Sequence, residues 1–132
     1  MYQPWQTYKD TMAERILSAR PEQLLAMLYE GMITKIKQAG ERFQAKQDIP
    51  ARESLIRAMR IADTLMDHLD LEHGGEAAKN LEQLYAFVVS SLSKASLEDD
   101  PEPHLNHALR TLEPLYRAWQ QLAERAMSEG GR

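Results

Sequence analysis

The chain has 132 residues, no cysteine, and 16 basic against 20 acidic side chains, which gives a net charge of -4 at pH 7. This length fits one domain with its own hydrophobic core, and the lack of cysteine excludes disulfides and thiolate metal sites. The negative charge argues against nucleic acid as a partner, because proteins that hold phosphate backbones neutralise them with basic side chains.

Residues Met1 to Asp10 have no basic stretch followed by an apolar run, and about 18 uninterrupted apolar residues occur nowhere in the sequence. We therefore expect no signal peptide, no membrane insertion and a cytoplasmic location. The first 20 residues nevertheless carry more apolar side chains than a solvated tail usually holds, among them Tyr8, Met12 and Ile16. We interpret residues 1–20 as an N-terminal arm. It either packs on the rest of the chain as a short extra helix or covers an apolar groove until a partner displaces it.

The first long helix is predicted to begin directly after the arm. Pro21 has no N–H to leave unpaired in a first turn, and the carboxylate of Glu22 suits the positive end of the helix dipole. Apolar side chains then recur at alternating steps of four and three, which is typical of a buried helical stripe. Its members are Leu25, Tyr29, Met32, Ile36, Ala39 and Phe43.

Three further helices are predicted by the same spacing, and breaks at residues 47–50, 73–75 and 98–103 separate the four segments. The predicted buried positions are Leu55, Ala58, Ala62, Leu65 and Leu69, then Leu81, Leu84, Val88, Leu92 and Ala95, and finally Leu105, Leu109, Leu112, Tyr116, Trp119 and Leu122. Helices of this length with short connections pack antiparallel to their neighbours. The expected fold is all-α, an antiparallel up-down-up-down four-helix bundle over residues 21–127, followed by a disordered tail over 128–132.

Several apolar residues remain outside these stripes. At about 100° per residue, Met27 lies nearly opposite its stripe, and five others lie well to the side of theirs. These five are Ile33, Ile56, Ile61, Phe87 and Val89. Single exposed apolar residues are common, but six on three consecutive helices favour a partner groove. We predict that these six residues bind a partner together with Tyr8, Met12 and Ile16.

Signals for catalysis or metal binding are weak. His104 and His107 are three residues apart and can share a helix face, but the Glu-x-x-His pairs of di-iron bundles do not occur in the sequence. Ser90, Ser91 and Ser93 have no His or Asp at a spacing typical of nucleophilic catalysis. We therefore expect no enzyme, no cofactor and no metal site.

Several short motifs occur along the chain in a fixed order. They are Tyr8 ahead of a helix, Pro21-Glu22-Gln23-Leu24-Leu25-x-Met27-Leu28-Tyr29-Glu30-Gly31, Arg57-Ala58-x-x-Ile61, Leu69-Asp70-x-Glu72-x-Gly74-Gly75-Glu76, Asn80-Leu81-x-x-Leu84-Tyr85-x-Phe87 and a late Trp119. With these motifs the chain resembles the family of flagellar secretion chaperones called FliS. The resemblance covers about residues 2 to 122 and is specific because the motifs occur together at matching separations. Arg20 departs from the small hydroxyl residue that usually precedes the first proline in this family, which removes a side-chain N-cap.

The resemblance implies an export chaperone that binds the disordered C-terminal segment of flagellin in the cytoplasm. Holding that segment would prevent premature polymerisation and keep flagellin competent for flagellar type III secretion, with the export apparatus as a further partner. The residues alone also leave open a self-associating helical structural or adaptor module, which would use the second apolar surface to bind its own copies.

Overall fold

A computed structural model describes residues 21–130, which form four α-helices with short connections. Each helix packs against its neighbours in the chain, and the fourth also packs against the first, which closes a ring of four. Neighbours are antiparallel, since Arg52 near the start of the second helix donates to the carbonyl oxygen of Ser96 near the end of the third. The predicted four-helix bundle is confirmed, whereas the predicted arm lies outside the described residues. The helices are α1 (Pro21–Gln44), α2 (Asp48–Asp67), α3 (Gly75–Leu97) and α4 (Glu102–Gly130).

Two helix boundaries differ from the predictions. Helix α2 begins at Asp48, so Pro50 lies in its first turn instead of in a break, where the missing N–H removes no helical hydrogen bond. Helix α4 continues to Gly130, three residues into the segment predicted as a disordered tail. No proline or glycine occurs between Pro114 and Gly130 to end the helix earlier.

The predicted stripes form most of the core. Its largest fully buried side chains include Met32, Ile36, Leu55, Leu92 and Leu112, which come from all four helices.

Leu122 was predicted to be buried but is 42% exposed, and Ala123 is buried in its place at 8%. At 3.6 residues per turn, the position that continues the stripe after Trp119 lies four residues on and not three.

A hydrogen bond crosses the middle of the bundle between helices that are diagonal in the ring. The hydroxyl oxygens of Tyr29 on α1 and Tyr85 on α3 are 2.6 Å apart, and the two rings meet edge to face with centroids 6.1 Å apart. The ring of Trp119 on α4 lies 6.3 Å from that of Tyr29. Both tyrosines are almost fully buried, so each hydroxyl satisfies the other in a region that would otherwise leave it unpaired.

We predict that single and double substitutions of the tyrosine pair will not be additive. Tyr29→Phe leaves the Tyr85 hydroxyl buried without its partner, which we expect to cost about 1 to 3 kcal/mol in free energy of unfolding, and Tyr85→Phe should do the same. The double variant removes both polar groups and should be less destabilised than the sum of the two. Urea unfolding of the four proteins measures the coupling. Additive losses would show that the hydroxyls do not stabilise each other.

The same pair predicts a loss of stability at alkaline pH. Burial raises the pKa of Tyr85, and the neighbouring Tyr29 hydroxyl raises it further; burial also raises the pKa of Tyr29. Because the folded pKa lies above the unfolded value of about 10, stability is complete below pH 10 and falls as the pH rises above it, by up to about 1.4 kcal/mol per pH unit for each phenol. Above pH 10, the free energy of unfolding should fall more steeply with pH for the wild type than for the Tyr29→Phe, Tyr85→Phe double variant. Equal slopes of the free energy against pH would contradict the raised pKa values of the two tyrosines.

Candidate partner-binding surface

The structure does not bring the six predicted contact residues of the helices into one groove. Ile56 on α2 and Phe87 on α3 are 44% and 47% exposed, as expected for surface positions. Ile33 is 7% exposed and belongs to the core, so its predicted surface position was wrong. The physical reason is that α1 packs against both α2 and α4, which makes its buried face wider than one stripe.

The other three predicted residues of the helices are partly buried and face different neighbours. Ile61 points toward α1, since its Cδ1 lies 3.4 Å from where a Cβ on Gly31 would be. Met27 is also partly buried on α1, and it lies about 40° around the helix from Gly31, on the side that faces α2. Tyr8, Met12 and Ile16 lie outside the described residues.

Val89 lies on the side of α3 that faces α2. Four residues after it, the Ser93 hydroxyl donates to the Sδ atom of Met59 on α2 over 3.6 Å. Ile56 lies on the matching side of α2, because it follows Arg52, whose guanidinium reaches the Ser96 carbonyl on α3. Ile56 and Val89 therefore both border the junction of α2 and α3.

Phe87 lies on the opposite side of α3, about 160° around the helix from Val89. That side faces α4, where Leu115 and Leu122 share one helical face. This face is turned away from α1, because Glu113, two residues before Leu115, pairs with Lys37 of α1 at 3.8 Å. Sequence analysis missed both as surface candidates, since it placed Leu122 in the buried stripe of the fourth helix and did not name Leu115.

Exposed apolar side chains thus border α3 on both sides, and α3 itself is nearly uncharged there. Between residues 86 and 97, Lys94 is the single charged residue of twelve, although charged residues make up 27% of the chain. Exposed positions within this stretch hold Ala86, Phe87, Ser90 and Leu97. An exposed helix of a soluble bundle normally carries charges on its outer face, so this composition favours a contact surface. We call it the α3 surface, and it consists of the exposed side chains of Ala86, Phe87, Ser90, Lys94 and Leu97 on α3 together with Ile56, Leu115 and Leu122 beside them.

Two histidines in the described part of the chain pair with carboxylates near the ends of helices. His104 at the start of α4 pairs with Glu98 at the end of α3, and His73 pairs with Asp70 in the connection before α3. Within residues 21–130, no three His, Asp or Glu side chains lie close enough to hold a metal ion. None of the described helices has both the length and the apolar content needed to cross a bilayer.

Comparison with known proteins shows which sequences this chain resembles. The family described as flagellar protein FliS matches residues 1–126 of the chain. The flagellar secretion chaperone FliS of Vibrio cholerae is 34% identical over 119 residues, which cover 89% of this chain and 86% of that protein. Its namesake from Salmonella typhimurium is 33% identical over 119 residues, with 89% and 87% covered. The Campylobacter jejuni protein of the same name is 33% identical over 103 residues, with 77% and 79% covered.

Two adjacent residues of α2 test the division between core and surface. Leu55 is fully buried, whereas Ile56 is 44% exposed. Leu55→Ala should therefore lower the free energy of unfolding by about 2 to 5 kcal/mol through a cavity, and Ile56→Gln should change it by about 0.5 kcal/mol or less.

Ile33→Gln is the matching test of the corrected position. It places an amide in the core and should destabilise the bundle much more than Ile56→Gln does. Thermal melts of the three variants measure these differences. Equal melting temperatures for Ile33→Gln and Ile56→Gln would show that Ile33 is a surface residue, as the sequence predicted.

Proposed function

We propose that this chain, which belongs to the FliS family of flagellar secretion chaperones, binds the C-terminal segment of flagellin on its α3 surface. As a member of this family it is a chaperone of flagellar export and not an enzyme. Beyond family membership, we propose that the client is flagellin, that its C-terminal segment is bound, and that binding occurs on the α3 surface. It also places the complex in the cytoplasm, before export.

The observation that carries the proposed binding site is the nearly uncharged C-terminal half of α3, in which Lys94 is the single charged residue. An amphipathic segment can lay its apolar face on such a surface and leave its polar face in water, as in other helix-in-groove complexes. Phe87 and Leu122 offer half-exposed side chains, at 47% and 42%, that a partner can bury. Ala86 and Ser90, also exposed on α3, are small, so that a partner backbone can approach this helix closely.

A surface of this kind suits a client that is disordered before it binds. The segment loses conformational entropy when it becomes helical, and burial of its apolar face must offset that loss. Because the apolar side chains of the α3 surface border two helix junctions, the client can contact α2, α3 and α4 along its length. Once its apolar face is covered, the segment cannot pack against other flagellin subunits, and polymerisation is prevented.

The bound segment would also remain without tertiary structure of its own, which keeps flagellin competent for type III secretion. Release at the export apparatus, the further proposed partner, requires a complex that is not too stable. Side chains that are only half exposed gain limited area on binding, and limited area favours a reversible complex.

Self-association is the second candidate function, because the α3 surface of one copy could pack against the α3 surface of another. Mass measurement of the chain, with and without a flagellin C-terminal peptide, separates the two. A client-binding chaperone forms a one-to-one complex, whereas a self-associating module forms an oligomer that the peptide does not change.

We predict that a flagellin C-terminal peptide binds one to one and gains helix on binding. Calorimetric titration measures the affinity, and the circular dichroism of the mixture should exceed the sum of its parts at helical wavelengths. Phe87→Gln should weaken binding by about 1 kcal/mol or more, which is roughly fivefold, because it removes an anchor from the contact. The fold should be retained, since Phe87 is not part of the core cluster.

Met127→Gln is the matched control. Met127 is 58% exposed and lies about 140° around α4 from Leu122, so the affinity should not change. The absence of both binding heat and added helix would refute flagellin as the client. Normal binding by Phe87→Gln would instead show that the peptide binds elsewhere than on the α3 surface, while flagellin would still be the client.

A further inference from the structure

A separate groove lies on the side of α4 that faces α1, opposite the side that borders the α3 surface. It runs between the last turns of α1 and the first turns of α4. The connection between α3 and α4 closes one end, and the volume is about 450 Å³. Ile36, Gly40 and Leu105 form its apolar floor, and Phe43 and Leu109 are partly buried at its walls. We call this feature the α1–α4 groove. It shares no residue with the α3 surface.

Gly40 keeps the floor of this groove open. Glycine in the middle of a helix is unfavourable relative to alanine, and it is usually explained by a neighbour that leaves no room for a side chain. A Cβ on Gly40 would have Leu105 Cδ1 at 3.6 Å as its nearest neighbour, an ordinary van der Waals distance. The packing of the bundle therefore does not require glycine here, and the missing side chain leaves the space above Gly40 open.

The rim of the groove is acidic. Its charged residues are four carboxylates and two ammonium groups: Glu41, Asp99, Asp100, Glu102, Lys37 and Lys46. One of the two lysines, Lys37, is also paired with Glu113 at 3.8 Å. An apolar floor inside an acidic rim complements a partner with an apolar side chain next to a basic one.

We propose that the α1–α4 groove is a second docking site, which binds a protein segment with large apolar side chains next to Lys or Arg. The apolar side chains occupy the space above Gly40, between Phe43 and Leu109. The basic side chains meet the carboxylates at the rim, mainly those of Asp99 and Asp100 in the α3–α4 connection. This assignment does not depend on flagellin as the client, because it rests on a different face of the bundle.

The test uses the full chain and a synthetic peptide of about 16 residues with leucines along one helical face and lysines beside them. Two matched peptides carry glutamate in place of each lysine, or serine in place of each leucine. We expect saturable binding of the leucine–lysine peptide, with shifts of the Gly40 and Asn106 amide signals in NMR spectra. Each matched peptide should bind about tenfold or more weakly, and added salt should weaken the leucine–lysine complex.

Gly40→Leu fills the groove with an apolar side chain and replaces glycine by a better helix former, so its melting temperature should be unchanged or higher. It should weaken binding of the leucine–lysine peptide about tenfold or more. Thr34→Leu adds the same side chain at an exposed position of α1 outside the groove and should bind the peptide like the wild type.

Three results would overturn the proposal: no binding of the leucine–lysine peptide, equal binding by Gly40→Leu, or equal binding of the glutamate peptide. A flagellin C-terminal peptide titrated in parallel should bind Gly40→Leu and wild type equally. The proposal of a docking site in the α1–α4 groove and the proposal of a flagellin site on the α3 surface can therefore be refuted independently.

Discussion

Two hydroxyl groups in the middle of the bundle, those of Tyr29 and Tyr85, set how the diagonal helices α1 and α3 face each other. The core around them is apolar, and apolar contacts tolerate small shifts of one helix along another. The hydrogen bond does not tolerate such a shift, because a slip of one residue in either helix turns one phenol away and leaves both hydroxyls unpaired in a buried place. Trp119 packs against Tyr29 from α4, so the same contact also positions the fourth helix.

Because the core specifies the helix register, the side chains on the outer faces are not needed for folding and can bind partners instead. The large side chains that hold the bundle together, such as Met32, Leu55 and Leu92, are fully buried and make no demand on the outer face of α3. That face can therefore carry few charges and a half-exposed Phe87 without weakening the fold. A chaperone requires this separation, because it must remain folded both before a client binds and after the client leaves.

The helices and most of the core were predictable because both follow from local spacing. A period of 3.6 residues identifies buried positions such as Ile36 and Leu112 without any knowledge of neighbours. The same spacing could not identify Tyr85, since Leu84 fits the stripe as well, and it could not identify Ile33 as buried. Whether a residue at the side of a stripe is covered depends on how many helices pack against that side, and this is a property of the tertiary structure.

The candidate surfaces were predictable only in part, for a related reason. The angle of Ile56 or Phe87 from its stripe shows that the residue lies off the core, but not which neighbouring helix it borders. The sequence therefore suggested one groove, whereas the structure distributes the predicted residues over several faces. The α1–α4 groove had no sequence signal, because it depends on the path of the α3–α4 connection and on the space above Gly40.

Polar contacts order one end of the bundle, and this bears on how partners bind there. At this end, polar contacts join consecutive helices: Arg42 of α1 donates to Ser54 of α2, Arg52 of α2 donates to the Ser96 carbonyl of α3, and His104 of α4 pairs with Glu98. Exposed contacts of this kind each contribute little to global stability, but together they order the connections. The α1–α4 groove lies at this end, so its walls are already ordered before a partner arrives. A segment that docks there loses its own conformational entropy but does not have to order the chaperone as well.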